Sequence, residues 1–177
     1  SIENGLKDKV LCPWIVKSDH QIDIQRLNID GVKTKINRKF KDLKSKLENP
    51  KAIVYVPSID EAKQLAASLE GVGIKARSVH SKEVESEKYK YKFKNTDEIE
   101  MLIAVETCRV GFDAPVDALF FFRNIRNSRL VKQMLGRALR TQAKRGDDQK
   151  SYIYSYGITT GESFPKNGNE LDQITVE

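Results

Sequence analysis

Gln133, Gly136, Arg137 and Arg140 are the residues of this sequence best placed to do chemistry. A helix turns by about 100° per residue. One that starts at Ser128, a serviceable N-cap, brings all four onto a single narrow stripe, while Leu130, Val131, Met134, Leu135, Ala138 and Leu139 fall on the opposite side. A guanidinium donates bidentately to phosphate-like oxyanions and stays charged at any working pH. The glycine allows close approach, and the glutamine adds an amide. Such a face suits a multiply charged oxyanion. A basic helix face often does no more than keep a helix in water, so the stripe has to be weighed with what precedes it.

What precedes it is ordered. The apolar run 101–105, Met-Leu-Ile-Ala-Val, reads as a buried strand. Gly-Phe-Asp-Ala-Pro follows at 111–115, then a second apolar strand at 118–122, then Gln-x-x-Gly-Arg-x-x-Arg at 133–140. This succession resembles motifs V and VI of superfamily 2 helicases. It is most similar to the branch that holds the motor subunits of type I and type III restriction enzymes and the related bacterial repair helicases.

The resemblance implies a RecA-like second motor lobe. ATP and Mg2+ would be held mainly by a first RecA-like lobe of the same polypeptide. Arg140 and Arg137 would reach the γ-phosphate as arginine fingers, with Gln133 linking their helix to the nucleotide or the attacking water. Gly111, Asp113 and Gly136 would lie at the nucleotide, Asp113 matching an acid that in relatives reaches the ribose or orders the site. By itself, an Asp before Ala-Pro is also an ordinary turn former. Ser58, Thr107 and Arg109 would contact a nucleic-acid backbone. Many superfamily members carry threonine where Val105 stands, with an acid following. The acid is kept here as Glu106, and the restriction-type branch commonly has an apolar residue at the position of Val105. The partners implied are DNA, with RNA as the alternative, and restriction or repair subunits.

The remaining chain must supply the scaffold. At 177 residues, 39% hydrophobic and 32% charged, it has the length for one domain with a real core. No apolar run approaches a membrane span, and no signal peptide opens the chain. Cys12 and Cys108 form no metal or disulfide pattern, which fits a reduced, cytoplasmic setting. The net charge of +6 favours a polyanionic partner. Residues 9–13 and 22–27 each have the pattern of a short strand, and Ile2 to Leu6 followed by Cys12-Pro13 resembles the exit from a first motor lobe. Asp-Gly-Val-Lys-Thr at 30–34 lacks the first glycine and the feeding strand of a P-loop, so a turn is expected there. Ile36, Phe40, Leu43 and Leu47 predict a helix of about twelve residues, ended by Asn49-Pro50. Lys35, Lys39, Lys41, Lys44 and Lys46 line its other face, as a solvated surface or as a phosphate track.

Residues 52–56 predict a strand buried on both sides. Ser58 and Glu61 form a capping box for a helix with Ile59, Ala62, Leu65, Ala66 and Leu69 inward and Gly71 or Gly73 at its end. The stretch 74–79 predicts a second strand, completing a βαβ unit that resembles helicase motif IV. His80 after it has no nucleophile partner and should pack or cap a loop. Val84, Tyr89 and Phe93 are expected to anchor a charged surface helix. Residues 141–150 read as a basic loop, 151–156 as a late strand and 157–177 as a loose tail or linker.

Alternating elements of this kind predict an α/β three-layer sandwich with a mostly parallel sheet, RecA-like but without its own P-loop. The expected division is a lead-in with the lysine-rich helix at 1–49, a RecA-like helicase C-terminal domain at 50–156, and the tail. A non-catalytic α/β module that binds nucleic acid or protein is the competing reading. A Walker P-loop encoded upstream of Ser1 would separate the two.

Overall fold

The computed structural model describes residues 14–17, 24–105, 114–124, 142–146 and 149–157. Six strands form one sheet: β1 (Trp14–Lys17), β2 (Ala52–Tyr55), β3 (Ala76–Val79), β4 (Met101–Ala104), β5 (Ala118–Phe121) and β6 (Ser151–Ser155), in the spatial order β1-β6-β5-β2-β4-β3. Every pairing is parallel. β2, β4 and β5 are buried at all four positions. That is why their sequences are continuous apolar runs rather than alternating ones.

Three α-helices belong to the described residues: α1 (Ile29–Lys46), α2 (Ile59–Glu70) and α3 (Ser86–Asn95). A crossover between parallel strands is right-handed almost without exception. β1 to β2 and β2 to β3 step the same way across the sheet, so α1 and α2 share one face. Their Val32, Ile36, Phe40, Leu43, Ala62, Leu65 and Leu69 enclose a core with Val54, Ile103, Phe120, Phe122, Tyr154 and Tyr156. The step from β3 back to β4 reverses, which sends α3 to the other face. It packs there on β3 and β4 through the fully buried Phe93. The predicted three-layer, parallel α/β sandwich is the fold observed.

Several local expectations are corrected. Residues 30–34 are not a turn. They are the first turns of α1, which begins earlier than its apolar period suggests because the Asn28 side chain caps it, accepting from Gly31 N at 3.2 Å. α1 is therefore 18 residues long. Residues 24–27 are no strand: Ile24 N donates to Asn124 Oδ1 at 3.0 Å and Leu27 N to Glu61 Oε2 at 2.5 Å, so side chains hold this segment. The first strand is Trp14–Lys17, beside the expected 9–13, which lies outside the described residues. Val84 is no anchor, being 92% exposed ahead of α3. The expected helix from Ser128 and the tail beyond Gly157 also lie outside the described residues.

The amino edge of the sheet carries polar groups that local sequence does not announce. Asp117, just before β5, is 1% exposed. Its carboxylate receives Arg145 Nε at 2.9 Å and Nη2 at 3.0 Å, Lys51 N at 2.9 Å and Gln142 Nε2 at 3.2 Å. Lys51, 7% exposed, donates Nζ to the carbonyls of Thr96 and Ile99, each at 2.5 Å, and lies 5.3 Å from the Phe93 ring. Burial lowers its pKa from 10.5, and Asp97 opposes that shift. Between the lowered value and 10.5 the unfolded chain holds the proton more tightly than the folded chain, so stability owed to Lys51 rises with pH across that window. Below the window the cost of the buried charge is present in full. Urea unfolding of wild type and Lys51→Met from pH 7 to 10.5 should show this rise in wild type and its loss in the variant.

Candidate nucleotide and nucleic-acid edge

The carboxyl edge of the sheet holds Ser58 and the strand ends from which the stretches with the other sequence-predicted site residues begin. β2, β4 and β5 end level with one another. Tyr55 pairs in register with Ala104 on one side and Phe121 on the other, Val56 N donates to Ala104 O at 2.9 Å, and Phe122 N donates to Tyr55 O at 2.9 Å. The Tyr55 and Phe121 rings stack at 5.1 Å. β2 and β4 are neighbours, yet the chain leaves β2 toward β3 at one side of the sheet and leaves β4 toward β5 at the other. Adjacent strands whose connections diverge open a crevice at their carboxyl ends, and parallel α/β sheets bind ligands in such crevices.

Ser58 lies just after β2 at this crevice. It caps α2: Glu61 N donates to its Oγ at 3.2 Å, and its own hydroxyl donates to Glu61 Oε1 at 2.8 Å. The expected Ser58 cap is thus present, but Glu61 takes the Ser58 hydroxyl where a full capping box would take its backbone N–H. The second carboxylate oxygen of Glu61 turns outward to Leu27 N and ties the entry of α1 to the entry of α2. Asp60 and Glu61 in the first turn already complement the helix dipole.

Thr107, Arg109, Gly111 and Asp113 follow Val105 at the end of β4, and Gln133, Gly136, Arg137 and Arg140 follow Asn124 beyond β5. All eight lie outside the described residues. Both stretches leave from the same edge as Ser58 and rejoin the described chain near the amino edge, at Ala114 and at Gln142, whose Nε2 donates to Asp117.

Residues that sequence reasoning passed over hold these departure points. Arg123 donates Nη1 to the carbonyl of Val105, joining the exit of β5 to that of β4. Burial lowers the pKa of its guanidinium from the ordinary value. Asn124 uses its side-chain amide as a short strand would, accepting from Ile24 N at 3.0 Å and donating to Ile24 O at 3.2 Å. Gly157, after β6, meets the same corner. A Cβ there would stand 2.0 Å from Arg123 O, so no side chain fits. His80 packs at the end of β3 as expected, 5% exposed, its Nδ1 accepting from Lys82 N at 3.3 Å. Its Nε2 and the Ser155 Oγ are buried without a hydrogen-bond partner among the described residues, and both stand at carboxyl ends of strands.

No group of three or more His, Cys, Asp or Glu able to hold a metal occurs among the described residues. No helix of the described residues is long and apolar enough to cross a membrane.

Comparisons with known proteins bear on the fold and the family. No curated protein matches the sequence. Among solved structures, the fragment of a protein assigned as an HsdR subunit of a type I restriction enzyme from Vibrio vulnificus YJ016 is similar with a TM-score of 0.69 at 19% identity, over 88% of this chain and 34% of that one. The Escherichia coli DEAD-box protein SrmB, bound to regulator of ribonuclease activity A, is similar with a TM-score of 0.56 at 18% identity, over 84% and 78%. The Hef helicase domain of Pyrococcus furiosus is similar with a TM-score of 0.50 at 22% identity, over 76% and 26%. The chain thus spans about a third of the HsdR fragment. These likenesses show the RecA-like fold. The helicase conserved C-terminal domain matches residues 34–142, more than half of the sequence, and this chain belongs to that family.

Proposed function

We propose that this chain is the second motor lobe of an ATP-dependent nucleic-acid helicase or translocase, acting on DNA. The observation that carries the reading is the strand order, which makes the carboxyl ends of β2 and β4 a switch point of the kind where parallel α/β sheets bind ligands. Ser58 and the stretch holding Thr107, Arg109, Gly111 and Asp113 depart from its two sides, in a chain of the helicase C-terminal family. In the proposed motor, ATP and Mg2+ are held mainly by a first RecA-like lobe and supply the transferable phosphoryl group.

The donor set of this lobe suits such a nucleotide. Arg140 and Arg137 offer bidentate donors to developing phosphoryl charge, and Gln133 orients the same helix or a water. Gly111, Asp113 and Gly136 line the nucleotide side. Ser58, Thr107 and Arg109 meet nucleic-acid phosphates, the free N–H groups at the start of α2 adding to the attraction. Hydrolysis that opens and closes the two lobes would move the grip along the strand. Restriction or repair subunits in the cytoplasm are the assemblies this motor would serve.

Two measurements on the chain alone test the division of labour. Steady-state ATPase assays should give no turnover above that of Arg140→Ala, because no P-loop is present in the sequence. Nucleic-acid binding should be weak, indifferent to sequence and lost as salt rises. Turnover by the chain alone would refute the two-lobe assignment. A sequence-selective, salt-independent complex would favour the non-catalytic module.

A further inference from the structure

α1 concentrates the charge of the molecule. Lys33, Lys35, Arg38, Lys39, Lys41, Lys44 and Lys46 stand against Asp30 and Asp42, a net of +5 on one helix where the whole chain is +6. Its neighbour α2 has Lys63 against Asp60, Glu61 and Glu70, a net of −2. The other lysine-rich stretch, 82–98, is neutral: Lys82, Lys88, Lys90, Lys92 and Lys94 are matched by Glu83, Glu85, Glu87, Asp97 and Glu98. Its ion pairs include Lys88 with Glu85, Lys90 with Glu87 and Lys92 with Glu98. A helix that merely keeps a surface wet interleaves both signs, as that stretch does. α1 does not.

The arrangement on α1 is also directional. Lys35 and Lys39 lie over the Tyr156 and Tyr154 rings at 4.9 and 5.7 Å, so their stems cover the core. Lys44 reaches Glu100 and Lys46 reaches Asp42. Arg38 and Lys41, one helical turn apart, are exposed, and no acid among the described residues pairs with either. No exposed aromatic accompanies them: Phe40 is fully buried. Stacking on nucleobases needs such rings, so this surface offers charge to a phosphate backbone and no stacking platform.

We propose that the outward face of α1 is a contact surface for the phosphate backbone of a duplex nucleic acid, centred on Arg38 and Lys41. The inference rests on the proposed nucleic-acid grip and adds a second contact outside the β2–β4 crevice. α1 runs from that carboxyl edge, where Leu27 meets Glu61, to the amino edge, where Lys51 opens β2. Its 18 residues cover about 27 Å, the length of about eight base pairs of duplex. A duplex lying along this face would be held while the crevice engages the strand being tracked.

The test uses fluorescence anisotropy of the chain with a 20-base-pair DNA duplex, the RNA duplex of the same sequence, and the single DNA strand, from 50 to 200 mM salt. Arg38→Ala with Lys41→Ala should weaken duplex binding at least tenfold at the lowest salt. It should also reduce the slope of log K against log salt by about two, each phosphate contact contributing about 0.9. The two duplexes tell whether the backbone is that of DNA, of RNA or of either. Lys82→Ala with Lys94→Ala removes the same charge from exposed positions elsewhere, and should change the slope little. Equal losses from the two pairs, an unchanged slope in the α1 pair, or no measurable duplex binding by the wild type would each overturn the inference. Loss of binding in Ser58→Ala with an unchanged α1 pair would sink this inference and leave the motor reading standing. Thermal melts of each variant confirm that binding is read on folded protein.

Discussion

Arg140→Ala in the complete motor should lower nucleic-acid-stimulated ATP hydrolysis by about 10³–10⁵, the range that removal of an arginine finger costs. Its melting temperature should stay within about 2 °C of wild type, because a substitution on a polar helix stripe usually changes stability by less than about 0.5 kcal/mol. In the sequence the Arg137 and Arg140 stripe faces away from Met134, Leu135, Ala138 and Leu139, so shortening the arginine removes no apolar packing on that helix. Arg140→Lys should fail nearly as badly, since an ammonium keeps the charge but loses the planar fork. ATP affinity should fall less than turnover, because a finger acts mainly on the transition state. Steady-state assays with and without DNA, beside melts of the same variants, measure all three. Wild-type turnover in Arg140→Ala would remove the finger assignment.

Asp117→Ala should be the most destabilising single change at the amino edge, by about 3–5 kcal/mol, the cost of breaking a buried ion pair by removing one partner. The alanine leaves the Arg145 guanidinium buried without its carboxylate. It also takes the acceptor from Lys51 N at the start of β2 and from Gln142. Asp117→Asn keeps one acceptor and the shape, so it should cost markedly less. Arg145→Met should be intermediate, because it strands a carboxylate that still has two other donors. Urea unfolding of the isolated chain gives the three differences. Equal midpoints for Asp117→Ala and wild type would mean that the buried network adds nothing to stability.

What the sequence by itself determined was most features with a local period or a local cap. Strands 52–56, 101–105 and 118–122 are apolar without a break because both faces of a parallel strand are covered. Ser58 and Glu61 lie three apart, so one helical turn is enough to specify their reciprocal bonding. The motif order from Gly111 to Arg140 is a pattern along the chain, and the family match over 34–142 includes it. Asp30-Gly31 has the chemistry of a turn, yet α1 already includes both residues, with Asn28 as its cap. Val84 fits the apolar period of the following helix yet stands before its first residue.

The tertiary structure alone decided the pairings between distant residues. Asp117 with Arg145 spans 28 positions, Asp117 with Lys51 spans 66, and Asn124 with Ile24 spans 100. A carboxylate in a loop and an arginine in a basic stretch look like ordinary solvated residues until folding removes water from both. The strand order β1-β6-β5-β2-β4-β3, which opens the crevice between β2 and β4, is likewise absent from any local pattern. A strand's side-chain period states which faces are covered. It does not state which strand lies alongside, because backbone hydrogen bonds between parallel strands are the same whatever the sequence. Neighbours are chosen by how side chains fill the space between sheet and helices, and that choice is made only when the whole core closes.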